Sequence, residues 1–593
     1  MPGAARLTLL CFAVLSPVVA QDSGKLLEAR MHARLAPMFD QRRKAVAAVR
    51  TAEQMRAHQA SLRTKFGRVL GEFPDKTPLK PRVLGRIDRP GYTIDKVIFE
   101  SRPAHHVTAN LYTPKGVSGR LPGVLVPCGH SRNGKASDLY QSVCVELAQN
   151  KMVALCYDPV GQGERLQLLG KDGKSRVWGT SEHTLVGIGA LLVGRHLAHY
   201  RIWDGIRAID YLCSLAAVDP ARIGCTGNSG GGTMTSYLMA MDPRIVAAAP
   251  SCFLTSLERV FATIGPQDAE QNFPSQVKLG IEHVDFLTMR APKPTLMLVA
   301  TQDFFDIEGA WTCYREAKRL YGLLGRGEQV DLFEFDDKHG FSMPRRHAAV
   351  RFLSRWLDAG ATEPVFPELV LCKDAELQCT KSGQVLRDIV GSRSVVELNT
   401  DRSALLSKRR GVCKVDDVRR VIAYPAKHDG FPVDVSEGSA ASIRFRTGNR
   451  LYAVSVRGRG VTTARGRRTY GGWFGPDFHP AFLAMHAGDS LLGLRVSDVR
   501  RALDTLEHAA GAVTIEADAD GQAVALHAAL LDARIGRVTL TSPLRSWTDL
   551  VSNPLQTRRI GDVVPGALEF YDLPDLVTAL EERGCKVEIP EVR

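Results

Sequence analysis

The chain has 593 residues, with 77 Lys and Arg against 64 Asp and Glu, and is 44% hydrophobic. That is ordinary globular composition with ample apolar surface for real cores, which excludes a disordered or fibrous chain. The formal charge of +13 suits an acidic polymer or anionic surface as partner, and equally a merely solvated basic face.

Residues 1–20 read as a signal peptide. Arg6 supplies the n-region charge, Leu7 to Leu15 an apolar stretch, and Val18 and Ala20 the −3 and −1 positions of a cleavage site. The stretch is too short to span a bilayer, no lipobox cysteine follows it, and no later apolar run has membrane length. The expectation is a secreted or periplasmic protein without membrane insertion after cleavage. Cleavage would remove one arginine and no acid, leaving +12. It would also remove Cys11 and leave eleven of twelve cysteines, an odd count that requires a free thiol or an intermolecular bond. Cys156 and Cys225 sit in apolar runs and are expected as buried free thiols. Cys372 and Cys379 are close enough in sequence to pair after export. No CxxC or Cys/His cluster suggests zinc, so no metal is expected.

Residues 21–81 read as a helical extension, with Leu, Ala, Met, Arg and Glu at helical spacing. YTIDKVIFES and HHVTANLYTP alternate apolar and polar residues, as antiparallel strands do. A different rhythm follows. LPGVLVPCG, KMVALCYDP, ARIGCTG, RIVAAAPS, PTLMLVATQD and VDLFEFDD are apolar strands. Helical stretches at 137–150, 194–215, 231–242, 306–325 and 344–358 alternate with them. That alternation predicts an α/β fold over 82–360, a mostly parallel sheet covered on both faces by helices. TEPVFPEL carries two prolines and marks a linker at 361–370. The remainder, 371–593, is expected as a second domain derived from the first. RIWDGIRAIDYL (201–212) reappears as RVSDVRRALDTL (495–506), with Arg201, Asp204, Arg207, Ala208, Asp210 and Leu212 matched 294 positions later. LMAMDPRI (238–245) then finds AALLDARI (528–535) in the same order, so a tandem duplication is expected.

The strongest chemical signal is Gly227-Asn228-Ser229-Gly230-Gly231, after the strand RIGCT and before a helix. That is the strand–turn–helix setting of a G-x-S-x-G elbow, which lifts a serine hydroxyl above the sheet. Such a serine needs a base, and the base an orienting acid, in the order Ser, acid, His. Asp303 follows the strand PTLMLVAT, and His339 follows VDLFEF. Asp306 is the rival acid or a helix cap, and His347 is the weaker base because it falls in the next helix. The oxyanion donors are expected to be the backbone N–H groups of Gly230 and of His130, in the loop Pro127-Cys128-Gly129-His130-Ser131. Gly129, Arg132, Glu182 and His183 are candidate substrate contacts, and Lys135 could bind an anion. Asp158 and Arg165, in DPVGQGER, are expected mainly to brace loops. The stretch 166–193, with Trp178, reads as a rim or partial lid.

Together, RPAHHVTANLYTPKG, PCGHSRNGK, YDPVGQGER, RIWDGIRAIDYL, IGCTGNSGGG, ATQDFF and KHGFS resemble the acetyl xylan esterase-like and dienelactone-hydrolase-like branch of α/β hydrolases, over 82–358. The resemblance implies an α/β-hydrolase fold, hydrolysis of carboxylic esters without a cofactor, and Ser229, Asp303 and His339 as triad. It makes an acylated carbohydrate or small ester the expected substrate. Asn228 and the third glycine, Gly232, depart from the pattern and leave the ester open. GHSRNGK also resembles the Ser-Arg-x-Gly-Lys element of glucuronoyl esterases, but Ser131 precedes the elbow strand. A prolyl oligopeptidase-like peptidase shares the core, yet its propeller would not fit in the roughly 80 preceding residues.

In the second copy Ala519 stands where the first has Ser229, and no histidine follows Asp572. This degenerate α/β-hydrolase-like domain is expected to be inert and to support the first or bind polymer. The run RGRGVTTARGRR (457–468) reads as an exposed basic loop or a contact for uronic acids; export argues against nucleic acid. The expected function is a secreted serine esterase acting on acylated carbohydrate, of open oligomeric state. The alternatives are a glucuronoyl methylesterase, a serine peptidase and a non-catalytic glycan-binding protein.

Overall fold

The computed structural model describes residues 18–360, 363–459, 473–506, 513–556 and 560–590. The first sheet has nine strands: β1 (Arg82–Arg89), β2 (Tyr92–Arg102), β3 (His105–Pro114), β4 (Leu121–Pro127), β5 (Val153–Tyr157), β6 (Val218–Asn228), β7 (Ile245–Ser251), β8 (Thr295–Gln302) and β9 (Val330–Lys338). Their order is β1-β2-β3-β5-β4-β6-β7-β8-β9. Strands β1 to β3 pair antiparallel, β3 joins β5 antiparallel, and all later pairings are parallel. Every residue of β4 and β5 is buried, which is why they read as unbroken apolar runs. Strand β1 was not anticipated. Its side chains are mostly exposed, so alternation is lost, and pairing with β2 across the turn at Gly91 (φ 80°) decides it.

Ten helices accompany this sheet: α1 (Val18–Ala47), α2 (Ala52–Leu70), α3 (Asp138–Gln149), α4 (Gly179–Leu192), α5 (Leu197–Ser214), α6 (Gly230–Met241), α7 (Leu257–Thr263), α8 (Asp285–Arg290), α9 (Ile307–Leu323) and α10 (Met343–Trp356). Helix α1 begins before the expected cleavage point, and residues 1–17 of that segment lie outside the described residues. Among the described residues no helix is long and apolar enough to cross a membrane. Leu27, Met31 and Leu35 form its buried stripe at four-residue spacing. Arg34 pairs with Asp489 of the second domain, while Arg42 pairs with Asp285 (2.7 Å) and Glu316 (2.6 Å) of the first. The extension therefore clasps both halves. Helix α2 starts at a Thr51–Gln54 capping box and buries Phe66 among Tyr237, Phe273 and Phe286.

Three expectations need correction. The α4 part of the stretch 166–193 is no exposed lid, although 170–178 is largely exposed. Leu185, Ile188 and Leu192 of α4 are fully buried, in one apolar cluster with residues of the second domain. The chain after the linker does not enter the second domain at once. Cys372 exchanges hydrogen bonds with Gln141, Thr380 bonds Glu164, and Arg393 donates to the Ala104 carbonyl, so 372–393 still lies on the first sheet. Cys372 and Cys379 do not pair. Cys372 Sγ meets Arg89 (3.1 Å), and the Cys379 thiol faces the carbonyls of Val97 and Ala109 (both 3.5 Å). All eleven cysteines of the described residues are free, Cys156 and Cys225 among the buried ones.

The second sheet holds β10 (Asp434–Glu437), β11 (Ile443–Thr447), β12 (Arg450–Ser455), β13 (Val513–Ala517), β14 (Ile535–Leu540) and β15 (Lys586–Glu588), in the order β10-β12-β11-β13-β14-β15. It repeats the first in miniature, antiparallel to β13 and parallel beyond. Its ion pairs repeat too. Arg244 holds Asp242 and Asp210 (both 2.5 Å), and Arg534 holds Asp532 (2.6 Å) and Asp504 (2.8 Å). Asp204 meets Arg165 (2.8 Å) and His105 (3.9 Å), while Asp498 meets Arg457 (2.7 Å) and His428 (3.0 Å). Arg457 is thus buried and structural, and Arg459 pairs with Asp477, which corrects the start of the expected basic loop. Residues 460–468 of that run lie outside the described residues.

Burial also sets a pH window. His105, His196, His283 and His527 are each pulled down to about 4 by loss of water. Below 6.5 the unfolded chain binds protons that the folded chain refuses, so stability falls toward pH 4. Burial pushes Glu182 up to about 8 and Glu282 up to about 7. Above 4.5 the unfolded chain releases those protons, so these two groups cost stability as pH rises to about 8. Maximum stability is expected between about pH 6 and pH 7. Glu182→Gln should narrow the wild-type drop in melting temperature from pH 6.5 to pH 8.5; an unchanged drop would contradict this assignment.

Candidate active site

Ser229 stands between β6 and α6 with φ 59° and ψ −125°, a strained conformation for a residue with a Cβ. Its N–H donates to the Ser251 carbonyl (2.9 Å), and its carbonyl accepts from Thr233 N–H (2.8 Å). The turn is thus locked to β7 on one side and to the first turn of α6 on the other. A side chain on Gly231 would collide with the Pro127 carbonyl, and one on Gly232 with the Ser251 carbonyl. The third glycine is therefore a packing requirement of this elbow.

Asp303 follows β8 and His339 follows β9. His339 Nδ1 lies 2.8 Å from Asp303 Oδ1, and Phe305 N–H also donates to that oxygen (3.0 Å). A carboxylate at Nδ1 places the ring proton there and leaves Nε2 as a free base. The Phe304 ring lies 4.2 Å from the imidazole. Beside Asp303, the Cys252 thiol is pushed up to about 12 by burial and then by the Asp303 charge, so it stays protonated. The Asn228 amide, with its nitrogen turned to the acceptors, donates to the carbonyl of Gly340 (3.0 Å). The residue before the serine is thereby tied to the residue after the histidine.

The rivals have other work. Asp306 caps α9 through Gly309 N–H (2.9 Å) and pairs with Arg259 (2.7 Å). His347 stacks on Phe366 (3.7 Å) and faces Glu146 (3.5 Å). Gly129 N–H donates to the Tyr140 hydroxyl (2.5 Å). His130 lies against the elbow, since a methyl group on Gly230 would meet its Cε1 at 3.0 Å. Arg132 is exposed, but Lys135 is buried between Asp158 (2.7 Å) and Glu164 (2.5 Å), so it is not the anion contact expected. Arg165 bonds the Asp158 carbonyl (2.9 Å) as well as Asp204, a bracing role for both. Glu182 and His183 are corrected as well. Both are fully buried. Glu182 accepts the N–H groups of Gln167 (3.0 Å) and Leu168 (2.9 Å), and His183 Nε2 donates to the Val160 carbonyl while its Nδ1 faces Asp268 (2.8 Å). Sequence reasoning passed over Cys252, Asp268 and Glu270, which lie in a segment, 252–294, without clear periodicity.

Residues 86–278 match the family model described as acetyl xylan esterase. Over that stretch the first domain is similar to acetyl xylan esterases. The matched stretch contains the Ser229 elbow and ends before Asp303. "Putative hydrolase YtaP" of Bacillus subtilis (strain 168) is 26% identical over 317 residues, covering 50% of this chain and 100% of that protein. Among solved structures, Methylesterase BT1017 is 20% identical with a TM-score of 0.47, covering 62% of this chain and 81% of that one. A glucuronoyl esterase from Solibacter usitatus is 14% identical with a TM-score of 0.40, covering 52% and 94%. The second domain lies wholly outside the family match, and Ala519 stands there at the position matched to Ser229.

Proposed function

We propose that the chain is an exported serine carboxylic-ester hydrolase that removes acyl groups, chiefly acetyl, from carbohydrate. The observation that carries this reading is a serine with φ 59° on a strand–helix elbow, on a sheet where the ends of β8 and β9 join Asp303 to His339 at 2.8 Å. Ser229 Oγ attacks the ester carbonyl while His339 Nε2 takes its proton. The backbone N–H groups of Gly230 and His130 receive the oxyanion. His339 then protonates the departing alcohol, and water, deprotonated by the same nitrogen, releases the acid from the acyl-enzyme. Asp303 holds the ring in one tautomer throughout.

Two exposed aromatic side chains support a sugar-bearing substrate. Phe304 is 46% exposed over His339, and Trp178 is 41% exposed just before Gly179, which borders His130. Phe304 offers a flat apolar face beside the site. The signal-like pattern of residues 1–20 supports export. The test is a panel of acetylated xylan, acetylated monosaccharides, glucuronate methyl ester, simple acyl esters and peptide amides. The acetylated carbohydrates should give the highest kcat/KM. A glucuronate methyl ester or an amide turned over about tenfold faster would overturn the acetyl assignment.

A further inference from the structure

Four side chains converge beside the elbow. His130 follows β4, His183 is on α4, and Asp268 and Glu270 lie between α7 and α8. His183, Asp268 and Glu270 are fully buried. His130 Nε2 lies 3.2 Å from His183 Nδ1, 3.1 Å from Asp268 Oδ2 and 3.4 Å from Glu270 Oε1. His183 Nδ1 lies 2.8 Å from Asp268 Oδ2 and 3.5 Å from Glu270 Oε2. Four ligands at about 2.0–2.1 Å from a tetrahedral zinc ion stand about 3.3–3.4 Å from one another. The five distances scatter around that spacing.

Hydrogen bonding alone leaves the cluster unresolved. His183 Nε2 lies 2.7 Å from the Val160 carbonyl, which only accepts, so Nε2 carries the proton. In the neutral ring Nδ1 is then a bare lone pair, facing a carboxylate oxygen at 2.8 Å. Glu270 Oε1 is enclosed without a hydrogen bond. A cation at the centre reconciles these acceptors. The carbonyl on the far nitrogen is the outer partner that metal-bound histidines have. Arg201 pairs with Glu270, so with neutral rings the group carries one net negative charge, which a divalent ion turns to one net positive.

We propose that His130, His183, Asp268 and Glu270 bind one Zn²⁺. Two imidazoles and two carboxylates in a closed four-fold set suit zinc, whereas magnesium and calcium take six or more oxygen ligands. The protein fills all four positions, so the ion is a positioning element. It pins His130 against Gly230. It also anchors the 264–284 segment, which the second domain grips through Ser275 N–H to the Met485 carbonyl (2.8 Å) and His486 Nε2 to Asn272 Oδ1 (2.9 Å). The ligands come from three separate stretches of chain, which is why no short motif announced them and the sequence led to the opposite expectation.

The test reads metal, not ester hydrolysis, so it stands apart from the proposed activity. Full-length protein is dialysed against zinc and then metal-free buffer, and its metal content is measured. About one zinc per chain is expected. The cobalt-loaded protein should show the visible bands of a tetrahedral ion, and chelation should lower the melting temperature until zinc is restored. His183→Gln and Asp268→Asn should lose the metal. His339→Ala should keep it, because among the described residues Cys252, Asp303 and His339 form the other convergence of possible ligands. Folded wild-type protein that binds less than about a tenth of an equivalent and does not respond to zinc would overturn the proposal. So would a metal lost in His339→Ala and kept in Asp268→Asn.

Discussion

Ser229→Ala is expected to lower turnover of p-nitrophenyl acetate by ~10³-fold or more while leaving the protein folded. The loss follows from the chemistry assigned to one atom. Without Oγ no acyl-enzyme forms, and His339 can act only through water. The fold should persist because the bonds that lock the elbow are made by the main chain of residue 229, to Ser251 and Thr233, and alanine keeps them. Some rate above the solvent reaction should remain from Gly230 and the His130 loop, since an oxyanion site acts without the nucleophile. Undiminished hydrolysis by a folded variant would remove Ser229 from the mechanism.

Asp498→Ala is expected to destabilise the second domain by about 3–5 kcal/mol. Arg457 is wholly buried, and Asp498 accepts from its Nη2 (2.7 Å), its Nε (2.9 Å) and its backbone N–H (2.9 Å). Removing the carboxylate leaves the guanidinium enclosed, with Asp429 as the remaining acid (2.8 Å). A buried charge stripped of a partner costs far more than a surface pair. Urea unfolding followed by tryptophan fluorescence should show an earlier transition, with Trp473 and Trp547 reporting this half. A shift worth less than about 1 kcal/mol would mean that the pair is solvated like a surface bridge.

The parallel core was legible in the sequence because burial on both faces leaves continuous apolar runs. VALCY and LPGVLVP became β5 and β4 for that reason. The elbow was legible because collisions at Gly231 and Gly232 leave no choice of residue. Asp303 and His339 could be placed because each follows a readable strand. What stayed hidden depends on contacts distant in sequence. Strand β1 exposes Val83 and Leu84 beside Arg82, Arg86 and Asp88, without alternation, and exists through its partner. Helix α4 looked like part of a lid because nothing local shows that a second domain covers it. Lys135, Glu182 and His183 look like ligand contacts in sequence. Their partners lie elsewhere on the chain: Asp158 and Glu164 for the lysine, the 167–168 backbone for the glutamate, Val160 and Asp268 for the histidine. The duplication was the reverse case. The same Asp-x-Arg ion pairing after a helix stands in both halves, at Asp242–Arg244 and Asp532–Arg534, while Ala519 stands in the second where Ser229 stands in the first.

The most direct test of the central claim is labelling with a fluorophosphonate, followed by mapping of the modified peptide. The expected result is one adduct per folded chain, on Ser229, slowed strongly in His339→Ala because the serine then lacks its base. No adduct is expected in the second domain, where Ala519 occupies the turn. An unlabelled folded protein, or an adduct on Ser131 with Ser229 untouched, would contradict the account.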